Sequence, residues 1–315
     1  FGYRAVHEMT VAAKAIVAAH YGTGPRFSYW NGCSAGGRQG LKAAQRFPAD
    51  FDGIIAGAPG LDWTGRASQS ARVAQVLQRD ESARLRPEQL ALLHASVLQA
   101  CDAKDGVKDG VVGDPQRCAF DPGVLQCSGA EGAACLTAAQ VRAVKMIYSP
   151  VVNPQTNREI SGLFPGSEPG WTDLGWSASA RATALDQFRF LVFKDPSWDL
   201  DRFDASVDVA RAEEADKDTL NALDPNVTAF IARGGKLIQY HGWSDPQISP
   251  GASVQYYERV AHARGGPDAV QGAYRLFMAP GMAHCSGGEG PDTFDMVGAL
   301  EQWVEKGVAP DRIVA

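Results

Sequence analysis

Residues 32–36 read Gly-Cys-Ser-Ala-Gly, which fits the G-x-S-x-G pattern of a serine held on a sharp turn between a strand and a helix. Small residues on either side permit the tight backbone that exposes a hydroxyl. The amide of Ala35, at the start of the following helix, then points where an oxyanion would form. A serine hydroxyl needs a base, and the base needs an orienting carboxylate. The chain order serine, acid, histidine is met by Ser34, by Asp245 in "HGWSDPQISP" and by His284 in "APGMAHCSGG". His7, His20, His94 and His262 fall in helical patterns. His241 is the rival base, since it also ends a strand, but it precedes Asp245 by only four residues and could instead shape that loop.

Two cysteines flank this set: Cys33 directly precedes the serine and Cys285 directly follows the histidine. A bond between them would place their Cα atoms roughly 5.5–6 Å apart. It would hold two distant loops at a separation suited to a serine–histidine hydrogen bond. Closing so long a loop is also worth up to about 5 kcal/mol in the chain-entropy description. The six cysteines, Cys33, Cys101, Cys118, Cys127, Cys135 and Cys285, allow fifteen pairings, and spacing alone selects none. An even count without a C-x-x-C pair argues against a zinc ribbon and for an oxidising compartment, secreted or periplasmic.

These loops must be carried by a sheet. "FSYWN" (27–31), "GIIAGAPG" (53–60), "KLIQYHGW" (236–243) and "AYRLFMAPG" (273–281) read as strands. Helical patterns occupy 7–21, where Met9, Ala12, Ile16 and Ala19 share a face, and 34–47, with Leu41, Ala44 and Phe47 inward. Two more occupy 251–265 and 292–307, the last closed by Gly307. Alternating strands and helices imply a parallel sheet covered on both faces, with its sites at the carboxyl ends of the strands. The middle breaks this rhythm and is rich in cysteine, proline and glycine. The expected division is a discontinuous core, 1–61 and 226–315, with an inserted lid at 62–225.

The chain has 315 residues, 45% hydrophobic and 21% charged, with a net charge of −6. That is enough for a sizeable core, and there is no global positive field to favour nucleic acid. No apolar run is long enough to span a bilayer, and no signal peptide or short repeat is evident. Nothing in the sequence sets the oligomeric state.

The combination Cys33-Ser34, Asp245 and His284-Cys285 resembles the tannase and feruloyl esterase family, which includes the hydrolase of mono(2-hydroxyethyl) terephthalate. The similarity extends through "FGYRAVHEMT", "NGCSAGGRQG", "FPADFDGIIAGAP", "FKDPSWD", "HGWSDP" and "APGMAHCSGG". It implies an α/β-hydrolase core with a large lid, a Cys33–Cys285 disulfide, and local Cys101–Cys118 and Cys127–Cys135 bonds in the lid. Family members carry a segment before the point matching Phe1, which supplies early strands and a second oxyanion donor. By that comparison this chain is a shortened or minimal form that lacks the N-terminal part of the core.

"CDAKDGVKDGVVGDPQRC" (101–118) spaces Asp102, Asp105 and Asp109 by three and four, with turn glycines at 106 and 110. Such a loop suits a hard cation, though the EF-hand pattern fails because Gly113 stands at the twelfth position from Asp102. The resemblance implies structural calcium held by these aspartates and by the carbonyls of Val107 and Val111. The expected activity is hydrolysis of aromatic acid esters (feruloyl, galloyl or related) through an acyl-enzyme, without an organic cofactor. Trp171, Trp176 and Phe164 are candidate wall residues for the aromatic ring. The alternatives are a terephthalate monoester hydrolase, a catalytically silent binding protein and a calcium-dependent interaction module.

Overall fold

The computed structural model describes residues 2–129, 132–173 and 178–314. In chain order the regular elements are α1 (Arg4–Tyr21), β1 (Tyr29–Cys33), α2 (Ala35–Arg46), β2 (Gly53–Gly57), α3 (Trp63–Arg79), α4 (Pro87–Cys101) and α5 (Ala138–Tyr148). An antiparallel pair of two-residue strands, β3 (Val151–Val152) and β4 (Glu159–Ile160), follows. Then come α6 (Ala178–Asp186), α7 (Ala205–Asp216), α8 (Thr228–Ala232), β5 (Lys236–Gly242), α9 (Pro250–Ala263), β6 (Tyr274–Ala279) and α10 (Met296–Lys306).

The main sheet has four strands in the order β1-β2-β5-β6, all parallel. Every residue of β2 is buried. Neighbouring strand residues point to opposite faces, so Ile54 joins one cluster and Ile55 the other. On the first face Ile54 and Leu237 pack with Leu41 and Ala44 of α2 and with Tyr256 and Val260 of α9. On the second, Ile55 and Ile238 pack with Leu300 and Trp303 of α10. Each fully buried leucine, isoleucine or valine among these contributes about 1.5–3 kcal/mol of transfer free energy. α2 lies close on the sheet because position 40 is glycine: a Cβ there would come 2.7 Å from Trp30 Cδ1.

The four strands and four helices expected of the core are present, with ends displaced by a few residues. One helical face is turned otherwise. In α1, Met9 and Ile16 are exposed, while Thr10 is buried and Val6 packs on the core. The sequence stripe is apolar, but the helix rests on α2 through its other side.

Between β2 and β5, α3 is the common element of two further clusters. Ala67, Ala71 and Ala74 form a small-residue stripe that admits Phe188, Trp198 and Phe203. The opposite side presents Val73 and Leu77 to Leu93, Val144, Ile147 and Trp171. Asp62 caps α3 by accepting the Gly65 N–H at 3.0 Å and also pairs with Arg158, which bonds Glu213 of α7.

Candidate active site

Ser34 joins β1 to α2 with φ 62° and ψ −118°, a strained backbone for a residue with a side chain. The turn is held by Ser34 N–H donating to Gly57 O at 2.9 Å and Gly60 N–H donating to Ser34 O at 3.1 Å. The small flanking residues are needed for closeness. A Cβ on Gly32 would lie 2.8 Å from the Gly36 carbonyl carbon, and one on Gly37 2.3 Å from Gly57 O. The Arg38 N–H reaches Ser34 O at 3.1 Å, while the amides of Ala35, Gly36 and Gly37 precede the intrahelical ladder and form the positive end of α2.

The two loops after β5 and β6 are zipped together. Ser244 N–H donates to Met282 O at 3.0 Å, and a Cβ on Gly242 would fall 2.1 Å from that same oxygen. Asp245 and His284 therefore meet: His284 Nδ1 donates to Asp245 Oδ2 at 2.7 Å. Asp245 is fully buried. Its Oδ1 accepts the N–H groups of Gln247 (2.8 Å) and Ile248 (2.9 Å). Burial alone would raise its pKa, but the bonds from His241 and His284 outweigh it and hold the carboxyl down to about 2.

His241 is the partner that sequence reasoning left undecided. It is fully buried, and its Nε2 faces two acceptors, Asp245 Oδ2 at 3.0 Å and Ile248 O at 3.1 Å. That nitrogen must carry a hydrogen, and Nδ1 is hydrogen-bonded to Ser253 Oγ at 2.7 Å. His241 therefore braces the carboxylate from behind. Its place four residues before Asp245 was the available signal.

Cys33 and Cys285 are bonded, with Cα atoms 6.0 Å apart and a sequence separation of 252. Ser34 and His284 each adjoin a bridged cysteine, so covalent geometry keeps their Cα atoms within about 14 Å of each other. Cys285 also has a positive φ, 66°, so both ends of the bridge adjoin or contain strained backbone. Cys101–Cys118 and Cys127–Cys135 are bonded as well.

The expected wall residues part company. Trp171 is fully buried against Tyr148 and belongs to the core between α3, α4 and α5, because its ring packs among Leu93, Val144 and Ile147. Phe164 stands edge-on to Trp243, just before Asp245, at 5.4 Å. Trp176 lies outside the described residues.

In the acidic loop, Asp102 Oδ1 accepts the N–H groups of Asp109 (3.1 Å) and Gly110 (3.2 Å). Asp105 Oδ1 accepts the Val107 N–H at 2.9 Å, and Asp109 Oδ1 accepts the Val111 N–H at 3.2 Å. Among the described residues no three acidic, histidine or cysteine side chains gather closely enough to hold an ion. The donor set fits a hard cation in kind, and each carboxylate is oriented by an amide of its own loop. The loop also abuts the His284 loop, since a Cβ on Gly281 would meet Val111 Cγ1 at 2.7 Å.

A parallel sheet with a strained serine turn leading into a helix, and a buried carboxylate–imidazole pair at the carboxyl ends of its strands, defines an α/β-hydrolase fold. The chain belongs to the tannase and feruloyl esterase family, whose description matches residues 1–315. An uncharacterized esterase of Xanthomonas campestris pv. campestris is 37% identical, taking in 100% of this chain and 62% of that protein. A probable feruloyl esterase B-2 of Aspergillus terreus is 34% identical over 99% of this chain and 62% of its own length. The crystal structure of feruloyl esterase B from Aspergillus oryzae superposes with a TM-score of 0.92 at 33% identity, covering 99% of this chain and 66% of that one. Tannin acyl hydrolase from Aspergillus niger gives 0.82 at 26% identity, covering 98% and 62%. The chain thus spans a little under two thirds of the length of these proteins.

Proposed function

We propose that this chain carries a serine carboxylic ester hydrolase site for esters of aromatic acids. The observation that supports the proposal is the Cys33–Cys285 bond, which ties the Ser34 turn to the loop of a histidine hydrogen-bonded to a buried carboxylate. Ser34 Oγ attacks the ester carbonyl while His284 Nε2 takes its proton. Asp245, bonded at Nδ1, stabilises the imidazolium and fixes the tautomer. The Ala35 N–H and the end of the α2 dipole receive the oxyanion. His284 then protonates the leaving alcohol, and water, deprotonated by the same imidazole, releases the acid from Ser34. The chemistry uses no organic cofactor. The aromatic substrate class rests on the relatives' names, feruloyl esterase and tannin acyl hydrolase, and on the edge-to-face pair Phe164 and Trp243 beside Asp245.

Segment 62–225 acts as a lid over this site. The 101–118 loop would take calcium only by drawing Asp102, Asp105 and Asp109, which do not converge as they stand, onto the ion together with the carbonyls of Val107 and Val111. The ion's part is to stiffen a loop that packs on the His284 turn. Three disulfides support export to an oxidising compartment. No helix among the described residues is long and apolar enough to cross a membrane.

The test is turnover of a panel of feruloyl, galloyl and simple alkyl esters by the wild type and by Ser34→Ala. Hydrolysis of the aromatic esters that vanishes in Ser34→Ala is expected. Binding of the aromatic esters without turnover by either protein would replace the hydrolase with a silent binding protein.

A further inference from the structure

Outside the Ser34 site, a group of titratable side chains lies where the proposed lid meets the loop after β6. His94, in α4, joins two carboxylates: Nδ1 lies 2.8 Å from Glu168 Oε2, and Nε2 lies 2.8 Å from Glu289 Oε2. Both ring nitrogens donate to carboxylates, which describes an imidazolium. Glu168 is fully buried and also accepts the Tyr148 hydroxyl at 2.5 Å and the Gly166 N–H at 2.8 Å. Glu289, by contrast, has a side chain 51% exposed and stands five residues after His284.

Glu289 is part of a closed turn. Its N–H donates to Gly281 O at 3.0 Å, and the Ala283 N–H donates to Gly287 O at 2.9 Å. A Cβ on Gly288 would come 2.2 Å from Gly281 O, so the two sides of the turn are in backbone contact. A unit this tight moves as one piece. It is fixed to the core by Cys285 and to the lid by Glu289.

We propose that His94, acting through Glu289, is a positioning residue that docks the lid onto the turn carrying His284 and so sets the aim of that imidazole at Ser34. This rests on the hydrolase reading given above. The groups that face His94 are Glu168 from the segment after β4, Tyr148 of α5 through Glu168, and Glu289 from the turn. Asp292, further along the same loop, is turned to the Gly287 N–H at 2.5 Å. Burial disfavours the charged ring, but the two carboxylates outweigh it and the His94 pKa is raised. With the folded value above the ordinary one, the clamp is complete below the usual histidine range. It is released as pH rises through the raised value.

The test compares Glu289→Gln with wild type, because this change is at an exposed side chain and keeps an acceptor while removing the charge. The expected result is a fold of similar Tm, kcat lower by about tenfold, and KM within about twofold. The alkaline limb of the kcat profile should move down by about one pH unit as His94 loses a counter-charge. His94→Gln should give the same split if it folds. Wild-type kcat and an unmoved alkaline limb in Glu289→Gln would overturn the proposal. So would a change confined to KM, or a Glu289→Gln protein that does not fold. Ser34→Ala, assayed in parallel, separates the two readings: retained turnover there removes the hydrolase site and this proposal with it, whereas loss of turnover beside a wild-type Glu289→Gln removes the proposal alone.

Discussion

Replacing both bridged cysteines, Cys33→Ala with Cys285→Ala, probes stability and catalysis at one point. The bond closes a loop of 252 residues of separation, for which the chain-entropy description gives about 5 kcal/mol of stabilisation. A chain of this kind has on the order of 5–15 kcal/mol in total, so the loss is a third or more. The bond joins two segments with positive φ, at Ser34 (62°) and Cys285 (66°), each costing on the order of 1–3 kcal/mol. Without it the Ser34 turn keeps its backbone bonds to Gly57 and Gly60, but the His284 loop loses its covalent tie to that turn, and under the proposed function the imidazole drifts from the hydroxyl. A drift of about 1 Å costs about a hundredfold in rate. The assay is kcat on an aromatic ester at a temperature where near-UV circular dichroism shows a native fold. The Cys127→Ala, Cys135→Ala pair serves as comparison, since its separation of 8 predicts a loss of only about 2–3 kcal/mol and it flanks no reacting group. The expected result is a roughly hundredfold lower kcat in the first variant and an unchanged kcat in the second. A folded Cys33→Ala, Cys285→Ala protein with wild-type kcat would refute the argument that the bridge aligns the site.

Asp245→Ala should lower kcat by about 10³–10⁴-fold, measured on the same ester, because His284 and His241 both lose their common acceptor. The Asp245 carboxyl sits at about 2, below its ordinary value of 3.8. Its stabilisation, on the order of 2 kcal/mol, is therefore fully present above about pH 5 and lost as pH falls through about 2. Acid unfolding of wild type and Asp245→Asn should accordingly differ in that window. Arg158→Met should lower denaturant-measured stability by about 3 kcal/mol, since it leaves the buried Asp62 without its cation. Chelation should lower Tm more than initial rate if calcium stiffens the 101–118 loop. A prompt loss of rate at unchanged Tm would contradict a structural ion.

Much of the core was legible because its signals are local. The run Gly53–Gly57 is apolar throughout and is buried on both faces, and the short-spaced pattern Gly32-Cys33-Ser34-Ala35-Gly36 dictates its own turn. The Asp245–His284 contact was legible because each residue follows a strand in the expected order, and the Cys33–Cys285 bond because each cysteine adjoins a candidate site residue. Long-range polar pairing was not legible. His94, Glu168 and Glu289 lie 74 and 195 residues apart, and no spacing rule links them. The facing of α1 and the burial of Trp171 were equally out of reach. An apolar stripe does not say which neighbour will cover it, and a tryptophan serves a core as readily as a pocket wall.

In the proposed hydrolase, Ser34 is an activated nucleophile paired with His284. This pairing is tested most directly by mapping a fluorophosphonate adduct on the disulfide-intact protein by peptide mass spectrometry. A rapid, stoichiometric adduct on Ser34 that is lost in His284→Ala is expected. An unlabelled Ser34 in protein that hydrolyses aromatic esters, or an adduct formed equally fast without His284, would contradict it.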